Sequence, residues 1–251
     1  MRVIILDDYS LMSRWAANYV VEKINQKKPT ADNPFVLGCP TGSSPLGMYK
    51  ELIRHYKEGD VSFENVVTFN MDEYVGLPKE HRESYYSFMW SNFFSHIDIK
   101  RENVHILNGN APDLVEECEN YERQIEAYGG IDLFLGGIGP DGHIAFNDPH
   151  VAEFNDAKMV KVVELDDVCR QQQVNDGCFA KLDDVPKTAL TLTIPTLINV
   201  GYNFCVVPAP TKANAVKNTV HGEISEKCPA TILRNKKNAI MYCDKDAASL
   251  L

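Results

Sequence analysis

At 251 residues, 44% of them hydrophobic and 24% charged, the chain has enough material to bury roughly 70–75% of its unfolded surface without disulfide staples. A formal net charge of −10 argues against nucleic acid as a partner, and no apolar run approaches the ~18 residues of a membrane span, so no membrane partner is expected either. Seven cysteines, odd in number and without a CxxC pair, suggest neither a disulfide framework nor a zinc site, and the apolar run before Asp7 and Asp8 is too short for a signal-peptide core, so a cytoplasmic location is expected.

Short apolar runs alternate along the chain with longer amphipathic segments. RVIIL (2–6) precedes a helical pattern from about Leu11 to Asn25, FVLGC (35–39) one from about Pro45 to Tyr56, and VVTFNM (66–71), after a loop, one from Ser84 to His96. The rhythm continues with VHIL (104–107) and Leu114 to Tyr128, then IDLFL (131–135), MVKVVEL (159–165) and ALTLTI (189–194). It closes with YNFCVV (202–207), a helix from Lys212 to Val220, and NAIMYC (238–243). This alternation predicts an α/β fold of the Rossmann-like, doubly wound kind: an open, largely parallel twisted sheet with helices on both faces. No linker, low-complexity tract or internal repeat interrupts it, so one domain over 1–251 is expected.

Open parallel sheets bind ligands beyond the carboxyl ends of their strands. The segments that follow strands there are CPTGSSP (39–45), MDEY (71–74), GGIGPDGH (136–143) and VPAPTK (207–212). In the first, Ser44 is placed to cap a helix and Pro45 to begin it, while Gly42, Thr41, Ser43 and Ser44 form a plausible phosphate cradle without the spacing of a nucleoside triphosphate loop. In the last, Thr211 is a candidate cap, and Lys212 sits where a cation opposes the helix dipole unless an anion shares the site. Asp72 ends a strand at the same edge and can act as a base if burial or like charge raises its pKa. Asp141 and His143, two residues apart, can project to one side of an extended segment, and Gly136, Gly137, Gly139 and Gly142 would let main chain approach a ligand. Taken singly, each of these has a plainer reading: a capped helix start, a solvated lysine, a strand-end acid, a turn histidine.

Taken together, PTGSSPLGMYK, TFNMDEYVGL, SYYSFMWSNFF and above all GGIGPDGHIAFNDP resemble the glucosamine-6-phosphate deaminases, also called isomerases, over nearly the whole chain. The resemblance implies an aldose–ketose isomerisation with loss of ammonia, converting glucosamine 6-phosphate and water to fructose 6-phosphate and ammonium, with no metal or organic cofactor. It assigns Asp72 to proton transfer between carbons 2 and 1, His143 to opening the pyranose ring, and Asp141 to orienting His143. It places Thr41, Gly42, Ser43, Ser44 and Lys212 on the phosphate and Gly137 beside the sugar. Members occur as monomers and as hexamers, so a homo-oligomer is among the partners it implies.

Three departures qualify it. FNDPHVA stands where the family has FNEPGSS, so Asp148 replaces a longer glutamate that supports the histidine. The shortfall of one C–C bond, about 1.5 Å, is enough to impair a catalytic arrangement. The serine- and arginine-rich run that follows in allosteric members is absent, which predicts no activation through that site. The family's phosphate-binding arginine falls near Gln173, and Arg170, three residues earlier, is the candidate to replace it. The alternatives are an enzyme acting on a related sugar phosphate, a 6-phosphogluconolactonase-like hydrolase, and a non-catalytic sugar-phosphate sensor.

Overall fold

A computed structural model describes residues 1–175 and 177–251. Its strands are β1 (Arg2–Leu6), β2 (Phe35–Cys39), β3 (Val66–Asn70), β4 (Asp72–Tyr74), β5 (Val104–His105), β6 (Leu133–Gly136), β7 (Val160–Glu164), β8 (Thr188–Leu192), β9 (Tyr202–Val207) and β10 (Ala239–Asp244). The α-helices are α1 (Tyr9–Lys27), α2 (Leu46–Glu58), α3 (Tyr85–Asn92), α4 (Leu114–Ala127), α5 (Asp167–Asn175), α6 (Ile194–Ile198) and α7 (Ala213–His221).

Seven strands form one sheet in the order β1-β10-β9-β6-β2-β3-β5, and every pairing in it is parallel. Side chains on its strands alternate between two cores, as the period of two requires. Phe35, Leu37, Leu133 and Leu135 pack with Met12, Ala16 and Val20 of α1 and Met48 and Leu52 of α2 on one face. Val36 and Phe134 pack with Cys118, Tyr121 and Ile125 of α4 and Val216 of α7 on the other. Burial on both faces explains why these strands read as continuous apolar runs, and it gives the doubly wound architecture the alternation predicts.

MVKVVEL and ALTLTI depart from the expected pattern. Together with the short β4 they form a separate three-stranded sheet, β4-β8-β7, paired antiparallel throughout. On β7 Val162 and Glu164 share one face and are exposed, whereas Val163 on the other face is buried, so this sheet has one wet side. Its covered side packs Tyr74, Val163 and Ala189 with Phe146, Cys169 and Phe179 in a third core.

In the large sheet the chain steps from β2 outward through β3 to β5, then returns to the other side of β2 as β6 and continues outward through β9. Strands β6 and β2 are therefore the switch point at which a crevice opens beyond the strand ends. Gly38 serves this junction, because a Cβ there would meet the Phe134 ring at 2.5 Å. The four loops singled out in the sequence follow β9, β6, β2 and β3, four adjacent strands.

Candidate active site

The four loops enclose a cleft of about 760 Å³, whose lining includes Thr41, Gly42, Ser43, Ser44, Gly137 and Lys212. Asp72 and His143 line it too. Asp141, Asp148 and Arg170 are not among its lining residues, and each has a different reason to stand back.

The two loops expected to bind phosphate form one end. Gly42 takes φ +88°, a conformation that favours glycine, and turns the chain from β2 into α2. Ser44 does not cap that helix: Pro45 stands at the cap position and offers no side-chain hydrogen bond. The hydroxyl of Tyr9 accepts from the Gly47 N–H at 2.7 Å and lies 3.2 and 3.1 Å from the Ser43 and Ser44 carbonyls. Because Tyr9 does the capping, the hydroxyls of Thr41, Ser43 and Ser44 make no hydrogen bond among the described residues and are available to a ligand. Across the cleft a single turn, Pro210–Lys212, leads into α7, which likewise has no side-chain cap, so Thr211 does not fill the predicted capping role. The residue before this turn, Ala209, has φ 79° and ψ 150°.

The other end is built of acids and an imidazole. Asp72 is the first residue of β4, paired opposite Thr191 of β8, and is 5% exposed. Its Oδ1 is buried without a hydrogen-bond partner. Burial, then the neighbouring Glu73 charge, push its pKa well above the usual carboxylate range, with His143 pulling the other way. Glu73 is spoken for: its carboxylate accepts from the backbone N–H groups of Tyr74, Tyr85 and Tyr86 at 2.9, 3.0 and 2.9 Å, anchoring the start of α3. Burial raises it as well, and these bonds counteract the rise.

His143 is held by its Nδ1. Asp141 Oδ1 lies 2.8 Å away and takes the hydrogen bond, while Asp148 Oδ1 lies 3.0 Å away as an ionic contact off the N–H direction. The shorter aspartate therefore reaches the ring. Burial opposes charge on the imidazole, but the two carboxylates win and raise its pKa to about 9. Burial would likewise raise Asp141, and the His143 ring draws it down to about 2. At neutral pH both ring nitrogens then carry protons, and Nε2 has no hydrogen-bond partner among the described residues. The glycines expected to approach a ligand divide by role. Gly137 lines the cleft, whereas a Cβ on Gly139 would meet the His143 ring at 2.1 Å, so this position is vacant for the imidazole. Gly142, at φ +86°, backs onto Cys228 Sγ, which a Cβ would meet at 2.3 Å.

The small sheet fixes the two reactive segments relative to each other. Thr191, opposite Asp72, accepts from the Phe146 N–H at 3.2 Å, and Asn147 Nδ2 donates to the carbonyls of Leu192 and Ile144 at 2.9 Å each. Ala145 between them is forced to φ 52° and lines the cleft.

Arg170 does not take the place expected for it. It is 5% exposed, and its guanidinium donates to Asp167 at 2.8 Å and to the carbonyls of Leu182 and Val185 at 2.7 and 3.1 Å. It ties α5 to the segment that carries Leu182 and Val185, while Gln172 and Gln173 line the cleft instead. Tyr85, Gln172 and Ala209 are lining residues that sequence reasoning did not single out. Ala209 lies within the VPAPTK loop and Tyr85 within SYYSFMWSNFF, but nothing in the sequence distinguishes either from its neighbours. Among the described residues, Asp141, His143 and Asp148 also lie close enough to hold a cation, as do His55, Glu58 and Asp60. In both groups the histidine Nδ1 is already engaged by an aspartate, at 2.8 and 2.7 Å respectively.

Comparison with known proteins places this arrangement. Residues 7–242 match the model of the family described as glucosamine-6-phosphate isomerases/6-phosphogluconolactonase. The chain is 53% identical over 251 residues to a glucosamine-6-phosphate deaminase of Phocaeicola vulgatus, covering 100% of this chain and 94% of that protein. It is 55% identical over 249 residues to the deaminase of Bacteroides thetaiotaomicron, with 99% and 90% covered. A solved monomeric glucosamine-6-phosphate deaminase superposes with a TM-score of 0.93 at 37% identity, covering 100% of both chains. The 6-phosphogluconolactonase of Thermotoga maritima superposes at 0.73 with 23% identity over 97% of this chain and 99% of that one, which is a likeness of fold alone.

Proposed function

The chain belongs to the glucosamine-6-phosphate isomerase/6-phosphogluconolactonase family, and from that premise we propose that it converts glucosamine 6-phosphate and water to fructose 6-phosphate and ammonium. The observation that carries this reading is the pairing, in one cleft, of a buried carboxyl with raised proton affinity, Asp72, and an imidazolium clamped by two carboxylates, His143. A hydrolase of lactones has no use for a carbon-to-carbon proton shuttle. A sensor has no use for either group in these protonation states.

In the proposed reaction the hydroxyls of Thr41, Ser43 and Ser44, with Lys212, hold the phosphate at one end of the cleft, and Gly137 lets the sugar lie against main chain. His143 gives a proton to the ring oxygen as the C1–O5 bond breaks, then takes the proton from O1 to leave the open aldehyde. Asp141 and Asp148 stabilise the imidazolium present before the first transfer and restored by the second. Asp72, ionised, removes the proton from carbon 2 while His143 gives the proton back to O1, forming an enolamine, and Asp72 then delivers its proton to carbon 1, leaving carbon 2 as an iminium. Its elevated proton affinity suits a base that must lift a proton from carbon. The resulting carbon–nitrogen double bond adds water and releases ammonia.

One catalytic domain over 1–251 acting in the cytoplasm is the setting that fits, and no described helix is long and apolar enough to cross a membrane. The test is ammonium release from purified protein and glucosamine 6-phosphate, with fructose 6-phosphate identified as product. Absence of ammonium at high enzyme concentration would sink the proposal.

A further inference from the structure

Ala209 occupies a backbone region where side chains are rarely found. Pro210 after it favours an extended ψ, which ψ 150° satisfies, but φ is 79°. That combination is close to glycine-only territory, and a residue with a Cβ stays there only when its surroundings over-determine it. The surroundings here are specific. Pro208 and Pro210 have no N–H, so Ala209 carries the only main-chain donor of the triplet. Both carboxylate oxygens of Asp244 receive that donor, at 3.2 and 2.9 Å. Asp244 ends β10, beside β9 in a register that pairs Cys243 with Val207, and is 6% exposed. The Ala209 carbonyl in turn accepts from the Lys212 N–H at 3.1 Å, so the pinned residue begins the turn that presents Lys212.

We propose that Asp244 is a positioning residue for the phosphate end of the cleft: it holds Ala209 in its strained conformation and thereby fixes the turn that aims Lys212. It acts at one remove and touches no substrate. The inference rests on the reading of loop 208–212 as a phosphate site.

The competing role is purely local, since Asp244 Oδ1 also accepts from the Ala247 N–H at 2.8 Å and so caps the last turn of the chain. Asp244→Ser separates the two, because a serine hydroxyl can still cap three residues on but is too short to reach Ala209. The probe is inorganic phosphate, titrated by calorimetry and as a competitive inhibitor, alongside amide exchange over residues 208–213 and the melting temperature. The expected result is a loss of phosphate affinity on the order of tenfold and faster exchange at 208–213, with kcat at saturating substrate little changed. In the Ala209→Gly background, where the conformation carries no strain, the same substitution should cost only about twofold. Asp244→Asn, nearly isosteric, is the second variant and should fall between.

Unchanged exchange at 208–213 in Asp244→Ser would overturn the proposal, as would an affinity loss of the same size in the Ala209→Gly background. If exchange follows the expected pattern while phosphate affinity stays flat in every variant, including Lys212→Ala, the loop is not a phosphate site. The fault would then lie in the reading of the cleft and not in the coupling of Asp244 to Ala209.

Discussion

The two ends of the cleft solve different physical problems with different materials. At the proposed phosphate end the groups are hydroxyls left over because Tyr9 does the capping, a lysine, and loop backbone turned at Gly42 and Ala209. None of them needs an unusual protonation state. At the other end Asp72 is nearly inaccessible with an unpaired oxygen, and His143 sits between an exposed and a buried carboxylate. Here position is subordinate to proton affinity. On the proposed roles, affinity for the substrate and the rate of its chemistry fall to separate segments, and substitutions at the two ends should show up in different kinetic constants.

The sharpest way to break that division is Asp72→Asn, which keeps shape and removes the base. It should lower kcat on the order of 10³-fold while leaving inorganic phosphate binding within about twofold. It should also abolish solvent-hydrogen wash-in at carbon 1 of fructose 6-phosphate, and full exchange in this variant would take Asp72 out of its role. Next in size, Asp148→Asn removes the less screened of the two charges on His143. A fall of about 10²-fold in kcat/KM is expected, with the alkaline limb of the pH profile moving down from near pH 9. Asp141→Asn, at an exposed position where water can replace it, should do less. At the opposite end, Lys212→Ala should raise KM by about 10- to 100-fold, the loss of a charge-assisted hydrogen bond, and leave kcat within about threefold. A kcat loss larger than the KM change would dissolve the division.

The smallest effect is one of pH. Activity should rise as Asp72 ionises, on a limb displaced upward by its burial, and decline as pH passes about 9, where His143 loses its proton. The same histidine links to stability. Its folded pKa lies above the ordinary 6.5, so its contribution is fully present below that value and is lost as pH rises toward and through about 9. Asp141, depressed to about 2, contributes above its ordinary 3.8 and loses this as pH falls through about 2. Denaturation of the protein and of His143→Gln across pH 6 to 10 should show two curves converging at the alkaline end. The gap should be modest, because Asp141 is partly solvated.

The large sheet and its four loops were legible because strands buried on both faces leave an unmistakable mark. FVLGC, VVTFNM, IDLFL and YNFCVV are apolar at consecutive positions, and the residues after them could be placed at one edge without knowing the strand order. MVKVVEL carries the opposite mark, a charged residue every few positions with Val162 facing water, and that pattern announces a sheet wet on one side. Arg170 was misplaced because helical spacing gives the face of a side chain but not the carbonyls of Leu182 and Val185, which come from a loop further along the chain. Whether Asp148 could reach His143 was equally hidden, since the answer lies in the path of main chain through Ala145 at positive φ. Ala209 is the plainest case of an illegible residue: sequence predicts glycine for such a conformation, and only the partner on β10 explains why alanine suffices.

Glu73, described above as the anchor of α3, has a wider meaning. It is the neighbour of Asp72 in the chain, yet its charge is sequestered by three backbone N–H groups and it does not line the substrate cleft. From there it still raises the proton affinity of Asp72. Glu73 is also coupled to the cleft through structure, because it holds the Tyr85 N–H and Tyr85 lines the cleft. A change at Glu73 would therefore act on the proton affinity of Asp72 and on the seating of Tyr85 beside the cleft together.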